Sequence, residues 1–455
     1  MGKILLAIII ASTVSVSLFR PWIGVMAYYL LALLGPQYIW WWNFEGLRVS
    51  LWVGGSAILG IVIHALHGQY DFKFLKTRQN FWVLILYFFL VISYFFGPYV
   101  SLAINESSFF SPDKVFNSAT KIFLFYFCAT LAIKDFKKLR YFCIIFIIST
   151  IYLIYWANLQ YFTENWNQFN MGRLMGPMSI DEGSIYRDEN AFAMFFVTGI
   201  PFIYFMGVYV LKNWFRYVLW AIVPLGWHAI FLTGSRGGLV GLGAIIFFSL
   251  LQSKKKILSL LIIPLFIFAY QWQAGGLMKE RSETIAEYEG ESSAESRLSA
   301  WAAGFKMIAA YPFTGVGLSS FTTAFSYVST DQPRVAHNTF VQFAAESGAG
   351  AGLSYLLIAL TFFLSSRRIK KWCKDKQEHP DIKWIQYYND ASTVSFSGLI
   401  VCSLFLSLNF YEIFFYLLII NNSLSVLCST MYEKTHHNKT AIIKTEKNNN
   451  NFKAL

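Results

Sequence analysis

Long apolar runs recur along the whole chain and limit its possible folds more than any motif does. They lie near residues 4–19, 22–41, 51–66, 81–104, 116–133, 140–161, 190–211, 216–232, 237–251, 257–273, 338–365, 393–409 and 411–430, about thirteen candidates. The interior of a bilayer offers no hydrogen-bond partners, so segments of this length must satisfy their own backbone as helices. An all-α, polytopic membrane bundle of about twelve transmembrane helices follows. Composition agrees, with 56% of the 455 residues hydrophobic and 14% charged.

The formal net charge of +12 would suggest nucleic acid in a soluble protein. Here the cations sit in connectors such as FKFLKTR (72–78), KDFKKLR (134–140), LKNWFR (211–216), SKKK (253–256) and SRRIKKWCKDK (366–376). They mark the cytoplasmic side, and no nucleic-acid partner is expected. Residues 105–115, 162–189, 233–236 and 274–337 then face the periplasm. Counting every run as a full crossing would put the N-terminus outside. Two of the first three runs are therefore expected to form fewer complete crossings, with both termini inside. The first run reads as a membrane segment and not as a cleaved leader.

The expected division is a transmembrane region over 1–185 and a central transmembrane region over 186–273 that holds an Arg236 motif. A periplasmic loop domain over 274–337, C-terminal transmembrane helices over 338–430 and a disordered cytoplasmic tail over 431–455 follow. Within the loop, SRLSAWAAGFKMIAAYP (296–312) places Leu298, Trp301, Phe305, Ile308 and Ala309 on one helical face, and Pro312 stops the helix. This amphipathic helix is expected to pack on the bundle as a cap.

Candidate chemistry gathers on the outer side. His337, at the start of the eleventh run, is either an interfacial histidine beside Asn338, a helix cap, or a general base. Arg236 in FLTGSRGGLVG could snorkel to lipid headgroups, but the surrounding glycines suit close approach to an anion. Arg297 is expected in the first turn of the amphipathic helix, a poor place for a cation unless an anion faces it; Glu295 could instead pair with it. Asp188 or Asn190 would cap the helix that follows, or bind sugar hydroxyls or orient His337. Glu346, inside the apolar run, is expected to be buried and hydrogen-bonded or protonated. Arg173, Arg187 and Arg334 are further outward cations with no local feature that ranks them. The sequence has no metal-binding, nucleotide or nucleophile-elbow motif, and five scattered cysteines form no ligand or disulfide pattern. Neither cofactor nor metal is expected.

In order and spacing, TGSRGGLVG, SAESRLSAWAAGFKMIAAYPFTGVGLSSF and VAHNTFVQFAAESGAGAGL resemble the O-antigen ligase and polymerase superfamily of WaaL and Wzy type membrane glycosyltransferases. RPWIGVMAYYLLALLGPQYIWW (20–41) and DENAFAMFF (188–196) further resemble the O-glycosylation ligase subgroup associated with exosortase A systems. The resemblance implies a multi-pass protein of the bacterial inner membrane. It would transfer an oligo- or polysaccharide from undecaprenyl pyrophosphate to a glycan, lipid or protein hydroxyl at the periplasmic face, without metal and with inversion. It assigns His337 to catalysis and Arg236 and Arg297 to the donor pyrophosphate, with Asp188, Asn190, Asn338 and Glu346 in support. Val335 stands where some ligases carry a second histidine. A polysaccharide polymerase is the alternative within the superfamily, and a lipid-linked glycan flippase or transporter the alternative outside it.

Overall fold

The computed structural model describes residues 2–106, 111–178, 185–252, 260, 262–273, 275–276, 292–376 and 379–431. The expected tail, the SKKK connector (253–256) and part of the expected periplasmic loop (277–291) lie outside these residues. Leaving aside helical turns of seven residues or fewer, the helices run α1 Gly2–Phe19, α2 Pro21–Leu34, α3 Val49–Leu66, α4 Arg78–Phe96, α5 Pro112–Ala132 and α6 Phe136–Phe162. They continue as α7 Glu189–Tyr209, α8 Phe215–Leu232, α9 Arg236–Gln252, α10 Ile262–Gln273, α11 Ser292–Ala310, α12 Phe321–Val328, α13 Thr339–Ser347, α14 Ala349–Asp375 and α15 Ile382–Ser403. The last, α16, is Glu412–Met431.

Nine of these helices are long and apolar enough to cross a membrane among the described residues, and α2 and α9 are shorter apolar helices. The axis of the bundle is α7, in which every residue from Ala191 to Ile203 is buried. A helix apolar on all sides is stable only when neighbours cover it, and α6, α8, α9 and α15 pack around it. The core is strongly aromatic; Phe362 on α14 stacks on Phe396 of α15 at 3.9 Å.

Connectors that meet define the two ends of the bundle. At one end Lys134 Nζ donates to the Gln69 carbonyl at 2.7 Å, Arg140 pairs with Asp381 at 3.8 Å and Lys370 Nζ donates to Gln252 at 2.5 Å. The basic connectors around 69–78, 134–140 and 366–376 therefore collect together. At the other end lie 162–178, 185–189, 233–236 and 404–411, together with the cap.

The N-terminus departs from expectation. Lys3 pairs with Glu45 at 3.5 Å, and the end of α2 is tied to Tyr186, whose hydroxyl donates to the Leu33 carbonyl at 2.9 Å. Hence α1 starts at the end opposite the basic connectors, and the start of α1 and the end of α16 do not share a side. The reason is local: Arg20 alone separates α1 from α2, and Pro21 opens the new helix as a tight hairpin. Ser17 of α1 packs against Gly24 of α2 and Gly60 of α3; α1 and α3 are long enough to cross, whereas the run over 22–41 breaks at Gly35 and gives only the shorter α2.

The run over 338–365 is also not one helix. It breaks at Gly348, whose φ of +85° admits few side chains and whose Cα hydrogen faces the Phe313 carbonyl. Only α14 belongs to the bundle; α13 joins the cap. The cap has its own small core, in which Ala300, Ala303 and Met307 of α11 meet Phe321 and Phe325 of α12 and Val341 and Ala345 of α13. The face of α11 that packs is thus not the expected one, since Leu298 and Phe305 are exposed. It lies about 150° around the helix from the expected face. Small side chains won because α13 comes close: a Cβ on Gly304 would lie 2.6 Å from Val341 Cγ1.

Candidate active site

Two helix starts are joined at the cap end of the bundle. Asp188 caps α7, its Oδ1 accepting the amides of Asn190 at 2.7 Å and Ala191 at 3.0 Å. Asn190, the other capping candidate, has a different task. Its Oδ1 accepts from Ser235 Oγ at 2.8 Å and from Arg173 Nη2 at 3.1 Å. Ser235 in turn caps α9 by accepting the Gly238 amide at 3.1 Å, which makes Arg236 the first residue of that helix. The expected Arg236 motif is therefore a capped helix start reached through a left-handed turn at Gly234, φ +58°. Arg236 is half-buried.

Arg173 holds this corner together. It lies in a two-stranded hairpin, Phe169–Asn170 with Arg173–Leu174, and its Nε donates to the Thr233 carbonyl at 3.1 Å. It also pairs with Glu189, and both side chains are largely buried. Sequence reasoning grouped Arg173 with Arg187 and Arg334. Its partners lie 16 to 60 positions away, beyond any local pattern.

His337 lies just ahead of α13, between Ala336 of the cap core and the capping Asn338. It is half-buried and left-handed, with φ +49°, a region that non-glycine residues enter at a cost. The neighbouring Asn338 caps α13, accepting the Val341 amide at 3.1 Å. Burial lowers the imidazole pKa below its usual 6.5, and the positive charge of Arg297 lowers it further. Asp188 opposes this and Arg334 adds to the depression. His337 is thus held as the free base near neutral pH. Three segments distant in sequence bring charge to bear on it: the start of α7, helix α11 and the strand-like approach to α13.

Arg297 is half-buried in the second turn of α11, because the helix begins at Ser292. The expected first-turn placement, and the argument from an unfavourable helix end, do not hold. Glu346 is likewise not inside a spanning helix. It lies near the end of α13, 4% exposed, where its Oε1 accepts from Gln342 Nε2 at 2.7 Å and from the Phe321 amide at 3.3 Å. Burial raises its carboxyl to about 7 against the pull of these bonds and of one from the Ser319 backbone. It stands behind His337, not beside it. Among the described residues no three His, Cys, Asp or Glu side chains form a metal-holding group.

Residues 221–356 match a family model described as O-antigen ligase. That segment, about 30% of the chain, is similar to the O-antigen ligase family. It contains Arg236, Arg297, His337, Asn338 and Glu346, whereas Arg173, Asp188 and Asn190 precede it. The stretches at 20–41 and 188–196 that resemble the exosortase-associated subgroup also lie outside it. No curated protein matches the chain. The apolar helices make this a multi-pass membrane protein, and its residues 221–356 are similar to the O-antigen ligase family.

Proposed function

We propose that the enzyme transfers an oligo- or polysaccharide from undecaprenyl pyrophosphate to an acceptor hydroxyl at the periplasmic face of the bacterial inner membrane. The acceptor oxygen attacks the anomeric carbon as the bond from that carbon to the pyrophosphate breaks, and single displacement inverts the configuration. His337 takes the hydroxyl proton. The departing diphosphate keeps the bonding electron pair, and Arg236 and Arg297 offset the negative charge that develops on it. Asp188 faces the imidazolium formed in the step, and Asn190 holds the Arg236 turn in place.

The observation that carries this reading is the setting of His337, a half-buried imidazole held neutral next to Arg297 within the ligase-family segment. A base must be unprotonated before attack and charged after it. Burial and Arg297 favour the first state, and Asp188 eases the second.

The test is transfer by the purified protein in liposomes supplied with a labelled lipid-diphosphate-linked glycan, with and without an added hydroxyl acceptor. Label moving to the added acceptor, with the anomeric configuration inverted, is the expected result. Lengthening of the lipid-linked chain without an added acceptor would instead establish a polymerase. Absence of any covalent transfer alongside movement of the intact donor between leaflets would establish a transporter.

A further inference from the structure

His337 holds a left-handed backbone conformation that non-glycine residues enter only at a cost, so surrounding contacts must impose it. Those contacts are specific. The Ala336 carbonyl accepts from Trp301 Nε1 of α11 at 2.9 Å, and the Ala336 amide donates to Gln342 Oε1 at 2.9 Å. On the far side of His337, Asn338 is fixed as the α13 cap, and the Thr339 hydroxyl donates to the Leu406 carbonyl at 2.7 Å and accepts the Leu408 amide at 3.0 Å. The histidine bridges two pinned peptides.

The pin on the Ala336 amide depends on which way the Gln342 carboxamide faces. Ala336 N–H can only donate, so it needs the carbonyl oxygen of Gln342, which also accepts from Ser407 Oγ at 3.0 Å. The amide nitrogen then points at Glu346 Oε1, 2.7 Å away and four residues on along the same helix. A carboxylate offers only acceptors, and its other partners, the Phe321 and Ser319 amides, are donors as well. Gln342 and Glu346 are 6% and 4% exposed, so water cannot replace a lost partner.

We infer that Gln342 is a positioning residue that fixes the His337 backbone through Ala336, and that Glu346 acts through Gln342 by setting the orientation of its amide. This rests on the reading of His337 as the base. It predicts an asymmetry between two isosteric substitutions. Q342E sets two carboxyls against each other and cannot satisfy both without sharing a proton. E346Q keeps an acceptor for both Gln342 and Phe321. In the exchanged pair Q342E/E346Q the contact between positions 342 and 346 again joins a donor to an acceptor. The carboxylate moved to position 342 would accept from Ala336, Ser407 and the amide moved to position 346, which restores the pin on Ala336, while the Phe321 amide, which shares Oε1 with Gln342 in the parent, would have to shift to the remaining oxygen.

The experiment measures kcat, KM for the lipid-diphosphate donor and direct donor binding for Q342E, E346Q, the exchanged pair and H337A in one liposome assay. The expected result for Q342E is a kcat lower by on the order of 100-fold, as for a catalytic group misplaced by about 1 Å, with donor binding and KM little changed. E346Q should stay within a few-fold of the parent, and the exchanged pair should recover most of the lost kcat. Q342E with normal kcat would overturn the inference. So would loss of binding and kcat in parallel without recovery in the exchanged pair, the mark of a merely structural role. An active H337A would instead overturn the reading on which it rests.

Discussion

Replacing Arg173 with alanine tests whether the corner formed by α7 and α9 is as tightly coupled as its hydrogen bonds imply. Arg173 pairs with Glu189, with 16% and 15% of the two side chains exposed, and it also holds the Thr233 carbonyl and Asn190. Removing one member of a buried pair leaves the other charged and desolvated, typically at a cost of about 3–5 kcal/mol. Partial exposure argues for the lower end, about 3 kcal/mol, or about a 100-fold shift in the folded-to-unfolded ratio. Removing both partners leaves no orphaned charge. R173A/E189A should therefore be more stable than the sum of the single variants by about 1–3 kcal/mol. Reversible SDS titration in mixed micelles would give the four stabilities of the cycle. Donor affinity should fall in R173A, since the turn that presents Arg236 loses its brace. Additivity within about 0.5 kcal/mol, or a loss in R173A below about 1 kcal/mol, would refute the coupling.

Three further outcomes follow from the charges and turns of the cap. Since the pKa of His337 is lowered and its base form is needed, the acid limb of kcat/KM should lie below pH 6.5; R297Q should move it upward and D188N downward. Donor diphosphate bound to Arg297 offsets that cation, so the limb in kcat should lie at higher pH than the limb in kcat/KM; coincident limbs in donor titrations across pH would contradict Arg297 as a diphosphate ligand. Glu346 has a folded-state pKa raised from 4.5 to about 7, so its contribution to stability is complete below about 4.5 and lost as pH rises through about 7. E346Q should flatten that dependence in unfolding titrations. G348A should destabilise the break between α13 and α14 by about 1–3 kcal/mol, because φ is +85° there and a Cβ would sit 2.4 Å from the Phe313 carbonyl oxygen.

The bundle was legible because bilayer chemistry leaves a polar-poor segment few choices, and the basic connectors do gather at one end. Hydropathy alone could not separate α13 from α14. The residues on both sides of Gly348 are apolar, and what breaks the helix is close approach of the 312–313 backbone. It also could not orient α11, where large side chains suggested a packing face and Ala300, Ala303 and Gly304 supplied it. The α7 cap at Asp188 and the α13 cap at Asn338 were readable from local rules. The roles of Arg173 and Gln342 were not. Each works through partners brought together only by tertiary folding, and neither arginine next to glycine nor glutamine in an apolar run has a distinctive pattern.

Separating donor capture from chemistry bears most directly on the proposed site. Binding of a lipid-diphosphate-linked glycan and its transfer to acceptor should be measured in parallel for the parent, R236A/R297A and H337A. The account predicts that R236A/R297A loses binding and transfer together, whereas H337A binds donor like the parent and transfers nothing. Parent-like transfer by H337A, or parent-like donor binding by R236A/R297A, would contradict it.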